Sequence, residues 1–384
     1  MLARVQDDLG KGAFENLEKS YGVVFTPDGL LADLDLRAIV PPSTYVRDPM
    51  HVMLSGGVAN VEIYAFLRSV SRAAPGFSWK GLRDFASAAW LFPGRSSHVK
   101  LADAFSDSRE TASKSAETFK AGASEVLSVY PILRYFAEVV VATIGSCEKA
   151  VASFLACCTV LDLSQMLKVG GQNDPALVLE FKNACSRFLG LHVFAYGREF
   201  AKPKHHYLLH CSTQYEEDGK WLDCFVHERK HQVIKAQATD IKNTRSFERS
   251  VLMPVCNSML HLMEGMQPSG LTGPTSRAME LDATFAAPVS VAARMTYAWM
   301  QFSKGDVLWE CRSAVMVLGC VSFNGGFGLL VEPLRLLNRP SSTTSVWTRT
   351  GDTQAAVLEP HLFRHANAWF TKDDGSLVVL GLCR

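Results

Sequence analysis

The feature that most limits the fold is a change of hydrophobic period near residue 267. Between residues 58 and about 200, apolar side chains return every three or four positions, as in Ile63, Phe66, Leu67 and Val70, and again in Leu127, Tyr130, Leu133 and Phe136. That spacing sets them on one face of an α-helix. Pro75-Gly76, Pro93-Gly94, Pro131, Gly170-Gly171 and Gly190 punctuate the block, which predicts roughly six or seven helices of ordinary length. The sequence QPSGLTGPTS at 267–276 then reads as a linker. Beyond it stand short β-type runs, among them VLWECRSAVMVLGCVSF, GFGLLVEPLRLL, TSVWTRT and GSLVVLGL, with turn signals NGG at 324–326 and DDG at 373–375. An all-β module, a small barrel or sandwich, is expected from about 282 to the end.

Composition narrows the function classes. Charged residues make up 20% of the 384 and the formal net charge is +1, so nucleic-acid binding by bulk charge is excluded and any such contact must rest on a local patch. The ten cysteines form no short-spaced framework, and several sit in apolar text such as FLACCTVL. They read as reduced core thiols of an intracellular protein. The opening MLARVQDDLGKGAF has acids and no apolar core, which argues against secretion. The most apolar stretch, 139–161, is interrupted by Glu148 and Lys149. A buried helix is expected there, and no membrane partner.

The densest chemistry lies at 202–235, KPKHHYLLHCSTQYEEDGKWLDCFVHERKHQVIK, which holds five of the eleven histidines. Titratable groups gathered so closely point to a site. One reading is a zinc site drawn from His205, His206, His210, Cys211, Cys224, His227 and His231; without a close cysteine pair, packed histidines are the stronger alternative. A nucleophilic pairing of Cys211 or Cys224 with His210 or His227 has no local signature. The other reading joins Glu228 to Asp48. Asp48 precedes Pro49, the pattern of an N-cap at the end of a strand. Two such acids could hold Mg²⁺, with Lys204, Arg229 and Lys230 meeting phosphates. The plainer alternative leaves Asp48 as a cap and Glu228 on a solvated helix face.

Three pieces, taken in order, resemble a known family. They are Asp48-Pro-Met-His51 within DPMHVMLSGGVANVE, then Lys202-Pro-Lys-x-His206-x-x-x-His210, then Phe225-x-x-Glu228-Arg229-Lys230-His231. Together they are similar to the transposases of the CACTA (En/Spm-like) superfamily, of the DDE, RNase H-like class, over about residues 20–265. The resemblance implies Glu228 as the third metal-binding acid. It places Asp48 at or beside the second, with Asp33 or Asp35 as upstream options. It also implies His51, His206, His210 and His227 in support, Lys202, Lys204, Arg229 and Lys230 on DNA, and Mg²⁺ or Mn²⁺ at Asp48 and Glu228. The Lys202–His210 element would be a strand and turn. The fold class implied is α/β plus all-β: an incomplete RNase H-like core at 1–57 and 201–266, interrupted by an all-helical insertion at 58–200, then a linker at 267–281 and the β module at 282–384. Such a core needs a strand with the first acid, a hairpin, a helix and another strand before the second acid. Forty-seven residues precede Asp48, too few for all of these, so a C-terminal portion of a transposase is expected. The implied partners are DNA and a further copy of the chain, in the nucleus or elsewhere inside the cell. The alternatives are a non-catalytic DNA- or protein-binding protein kept for another use, and a module stabilised by Zn²⁺.

Overall fold

A computed structural model describes residues 10–21, 26, 33–39, 46–74, 76–87, 90, 101–169, 174–225, 234–235, 238–239, 246–265, 269–273, 275–276, 290–297, 300–310, 313–323, 326–341, 343–351, 363–366 and 368–381. The helices are α1 (Lys11–Tyr21), α2 (Leu34–Ile39), α3 (Pro49–Met53), α4 (Val58–Ala73), α5 (Trp79–Ser87), α6 (Asp107–Ala116), α7 (Ala123–Val139), α8 (Glu148–Val169), α9 (Pro175–Tyr196), α10 (Pro203–Asp218) and α11 (Phe247–Gly265). The strands follow: β1 (Ser269–Thr272), β2 (Thr275–Ser276), β3 (Ser290–Ala292), β4 (Arg294–Tyr297), β5 (Met300–Ser303), β6 (Val307–Glu310), β7 (Ser313–Phe323), β8 (Gly326–Asn338), β9 (Thr344–Arg349), β10 (Arg364–His365), β11 (Ala368–Thr371) and β12 (Leu377–Leu380). The chain divides into two compact units. The first comprises Met1–Pro75, Ala112–Val126 and Ile144–Cys224; the second comprises Gly76–Thr111, Leu127–Thr143 and Phe225–Arg384.

In the first unit α4 is the central element, buried almost all round from Val58 to Leu67. A helix with apolar residues on every side has to be enclosed, and α8, α9 and α10 do so. Phe66 stacks on Phe154 of α8 with ring centroids 4.5 Å apart. Each fully buried side chain of this kind adds about 2 kcal/mol of transfer free energy. Polar atoms on α4 are bonded. The Asn60 carboxamide accepts the Gly57 N–H at 3.1 Å and donates to the carbonyls of Phe119 and Ala121 at 2.9 and 3.0 Å. Helix ends follow local chemistry. Asp174 caps α9 through the N–H groups of Ala176 and Leu177, with Pro175 next. Gly219 ends α10 at φ 63°.

The second unit holds every strand found among the described residues. One sheet runs β10-β6-β7-β8-β9-β12-β11, with β3 pairing to β7 and β2 to β3; a second runs β1-β4-β5; all pairs are antiparallel. The main sheet buries both faces. Leu308 joins a cluster with Phe302, Val315, Val317 and Leu329, whereas its neighbours Val307 and Trp309 join Ala314, Trp347, Trp369 and Val379. Alternate residues point to opposite faces, so two cores explain the nearly continuous apolar text. Phe323 pairs with Gly326 in the β7–β8 ladder, while Asn324 and Gly325 of the expected NGG turn lie outside the described residues, and Gly375 adopts φ 79° in the DDG turn.

Helices plus a curled antiparallel sheet are thus the architecture. Several finer expectations are corrected. The expected linker at 267–281 includes β1 and β2: β1 pairs with β4, Leu271 packs on the Met295–Phe302 core, and Gly273 turns at φ 64° between the two strands. Val46 and Arg47, the described residues leading into Asp48, carry no strand pairing, and residues 40–45 lie outside the described residues. The segment after Lys202, expected as a strand and turn, is the start of α10, with Pro203 in its first turn. The expected RNase H-like core falls in part on residues 1–9, 22–25, 27–32, 40–45 and 226–233, which lie outside the described residues. Pro131 and Gly190 lie inside α7 and α9 rather than ending them; buried neighbours such as Tyr130, Ile132, Leu133 and Phe188 outweigh the local cost.

Among the described residues, three helical stretches are long and apolar enough to cross a membrane by length and composition: Pro49–Ala73, Ala123–Thr143 and Gly145–Lys168. Their apolar windows are 83%, 56% and 67% buried inside the fold. None of the eight described cysteines is in a disulfide.

The α3–α4 corner depends on a close approach at Gly57. A Cβ there would lie 2.3 Å from the Met53 carbonyl carbon and 2.5 Å from the Val52 oxygen. Both are backbone atoms, so no side-chain motion relieves the clash. Gly57→Ala is expected to lower stability by about 3 kcal/mol, measured as a fall in the urea midpoint without a change in slope.

Candidate functional site

Asp48 is the N-cap of α3. Its Oδ1 accepts the Met50 N–H at 3.1 Å, while Oδ2 closes on His51 Nδ1 one turn later. Oδ1 also accepts the Cys224 N–H at 3.1 Å, from a residue 176 positions away. Burial pushes the Asp48 carboxyl up, but the bonds from His51, Cys224 and Met50 outweigh that and hold it below the usual carboxylate range. The segment leading to Asp48 is pinned as well. Gln214 of α10 accepts the Arg47 N–H at 2.7 Å and donates to the Arg47 carbonyl at 3.2 Å, standing where a neighbouring strand would. The Arg47 guanidinium lies 5.7 Å from the centre of the Tyr207 ring.

The stretch Trp221–Cys224 is anchored to the same unit. Trp221 packs edge-on against Phe181 at 5.5 Å, and Asp223, with its side chain 7% exposed, pairs with Lys168 at 2.6 Å. Beyond Phe225 the expected residues His227, Glu228, Arg229, Lys230 and His231 lie outside the described residues. Among the described residues, the tie from Asp48 to this segment is made at Cys224. Lys204 reaches the same corner, its Nζ donating to the Ser55 carbonyl at 2.9 Å. Burial pulls its ammonium down, while nearby Asp48 works against that. Lys202 stands exposed at the N-cap of α10.

The histidines separate into two kinds. His206 and His210 are neighbours on the outer face of α10, with Nε2 atoms 3.0 Å apart. His205 points inward and is 4% exposed. Its ring lies 4.5 Å from that of His192, and its Nδ1 sits 3.0 Å from the Lys202 nitrogen. His192 is bonded through Nδ1 to the fully buried Glu62 at 2.6 Å, and the Tyr196 hydroxyl donates to the other oxygen of Glu62 at 3.1 Å. This network joins α4, α9 and α10, and His192 and Glu62 carry no sequence signal beyond lone polar residues in apolar helices. The Nε2 atoms of His192 and His205 are buried without a hydrogen-bond partner. Burial, followed by the charge of His192, pulls the His205 imidazole down to about 4.

Of the residues in the zinc reading, His227 and His231 lie outside the described residues. Cys211 is buried in α10, its Sγ 3.5 Å from the Tyr207 carbonyl, and burial pushes its thiol up to about 12, so it stays protonated and is a poor ligand. Cys224 lies against Asp48. No three His, Cys, Asp or Glu side chains among the described residues stand together as a metal site. For Mg²⁺, Asp48 offers one hard oxygen donor. No family model, curated protein or solved structure matches this chain.

Two outcomes follow from this geometry. Asp48→Ala removes the cap and the tie to Cys224, and is expected to lower stability by about 2 kcal/mol, read by chemical denaturation. His205 is held neutral in the fold and is protonated more readily in the unfolded chain. The folded state therefore loses stability as pH falls from about 6.5 to about 4, by up to about 3 kcal/mol. Thermal unfolding across that window should show the loss, and His205→Gln should flatten it.

Proposed function

We propose that this chain is a transposase-derived protein of the CACTA type. Its ancestral chemistry is Mg²⁺-dependent DNA strand cleavage and transfer, with Asp48 and Glu228 as the metal-bearing carboxylates. The observation that carries this reading is the bond from Cys224 N–H to Asp48. Cys224 stands four positions before Glu228, so the bond supports the reading by tying Asp48 to the backbone just ahead of the third motif. Asp48 is also held ionised, the state that a divalent cation needs. In this reading Asp48 is oriented by His51 and the Met50 and Cys224 N–H groups, while Lys202, Lys204, Arg229 and Lys230 neutralise phosphates. A Mg²⁺ ion bound by oxygen donors here would stabilise charge on the phosphate being transferred. The RNase H-like core belongs to this reading as its implied scaffold.

A second reading is favoured by the same carboxylate. Asp48 already serves as a cap, an ion-pair partner and an acceptor from Cys224. A residue so engaged suits a protein that keeps the fold to hold nucleic acid or protein without cutting.

The two readings separate in one assay. The full chain is incubated with Mn²⁺ and labelled transposon-end DNA, beside Glu228→Gln. Catalysis predicts strand cleavage that Glu228→Gln reduces at least about 100-fold, as for a lost metal ligand; cleavage that survives the change rejects Glu228 as the third acid. A salt-dependent mobility shift without cleavage, weakened by changing Lys202, Lys204, Arg229 and Lys230 together, supports the binding reading. Neither cleavage nor a shift rejects both.

A further inference from the structure

We infer that the outer stripe of α10 formed by Lys202, His206 and His210, with Arg47 beside it, is a phosphate site in which binding takes up a proton on the histidine pair. The inference rests on the reading above only for the source of the phosphate, a nucleic-acid strand. Positions 202, 206 and 210 fall four apart, so they line one face of the helix from its N-cap onward. Lys202 and His206 are exposed and His210 is half-buried. Arg47 crosses the same face over Tyr207.

The histidine pair supplies the coupling. With Nε2 atoms 3.0 Å apart, one ring donates and the other accepts, so the neutral pair is satisfied by a single proton. A proton on the accepting Nε2 would set two N–H donors against each other, whereas one on the outer Nδ1 of the donating ring keeps the bond. An oxyanion in front of the pair gives each donor its own acceptor, so it favours the protonated form. The charged and titratable groups around the pair are Arg47 from the segment before α3, Lys202 one turn earlier, Tyr207 beside His206, and His192 and His205, which border the same cleft as His206. The carboxylate next to Arg47, Asp48, is taken up by His51 and Cys224. Burial and then the charges of Arg47 and His206 hold His210 below the ordinary histidine range, which leaves room for an anion to raise it. Lys204 is not part of the stripe, since its Nζ is committed to Ser55.

The test uses the full chain, a short labelled single-stranded oligonucleotide read by fluorescence anisotropy, and inorganic phosphate read by the NMR titration of the two imidazoles. The oligonucleotide should bind about tenfold more tightly near pH 6 than near pH 8, and less than about twofold in the double variant His206→Gln, His210→Gln. Arg47→Gln with Lys202→Gln should weaken binding at both pH values while keeping the ratio, which separates bulk charge from proton uptake. Inorganic phosphate should raise the titration midpoints of both rings. If the double variant keeps the wild-type pH ratio, or phosphate leaves both rings unmoved, the site is overturned while the DNA-binding reading stands. If phosphate moves the rings and the oligonucleotide does not bind, the anion site stands and the nucleic-acid reading falls.

Discussion

A half-buried carboxylate stays charged only if donors replace the water it has lost, and Asp48 is the point where this requirement organises the first unit. Its donors come from three places: the first turn of α3, the histidine one turn along, and the backbone of Cys224. The first two are local and would form in any Asp-Pro-x-His turn. The third is not. It can exist only if Gln214 holds Arg47 to α10 and Trp221 holds the following segment against Phe181. The site is therefore a consequence of helix packing, and its charge state reports whether that packing is intact.

Deeper in the same unit, polar groups are buried as well, under a different rule. Asn60, Glu62 and His192 are all enclosed, and each finds a partner on another segment. A buried pair such as Glu62 and His192 is costly to break and gives little net stability when intact. Its value is specificity, since only one relative placement of α4 and α9 satisfies both groups. The Nε2 atoms of His192 and His205 are among the buried polar atoms without a hydrogen-bond partner.

Much of the organisation was legible from local text. The helical period between 58 and 200, the cap at Asp48 and the DDG turn all depend on neighbours within a few residues, and the structure has helices, an N-cap and a turn at those places. The misreadings share a cause. QPSGLTGPTS looked like a linker because Gly, Pro and Ser dominate it, yet Leu271 finds a partner in Met295, 24 residues on. KPKHHYLLH was expected as a strand and turn because the resemblance implied one, while its three apolar residues in a row fit either state. Pro203 in the first turn and the burial of His205, Leu208 and Cys211 on one side make it helical.

The sequence by itself determined which stretches could be helix or strand and which residue types carry chemistry, because period, capping and turn formation are short-range. Only the tertiary structure decided that Asp48 meets Cys224, that His205 turns inward while His206 and His210 face out, and that Glu62 is the partner of His192. Those outcomes depend on burial and on hydrogen bonds between residues more than a hundred positions apart. Packing of whole helices sets such distances, and no local pattern encodes them.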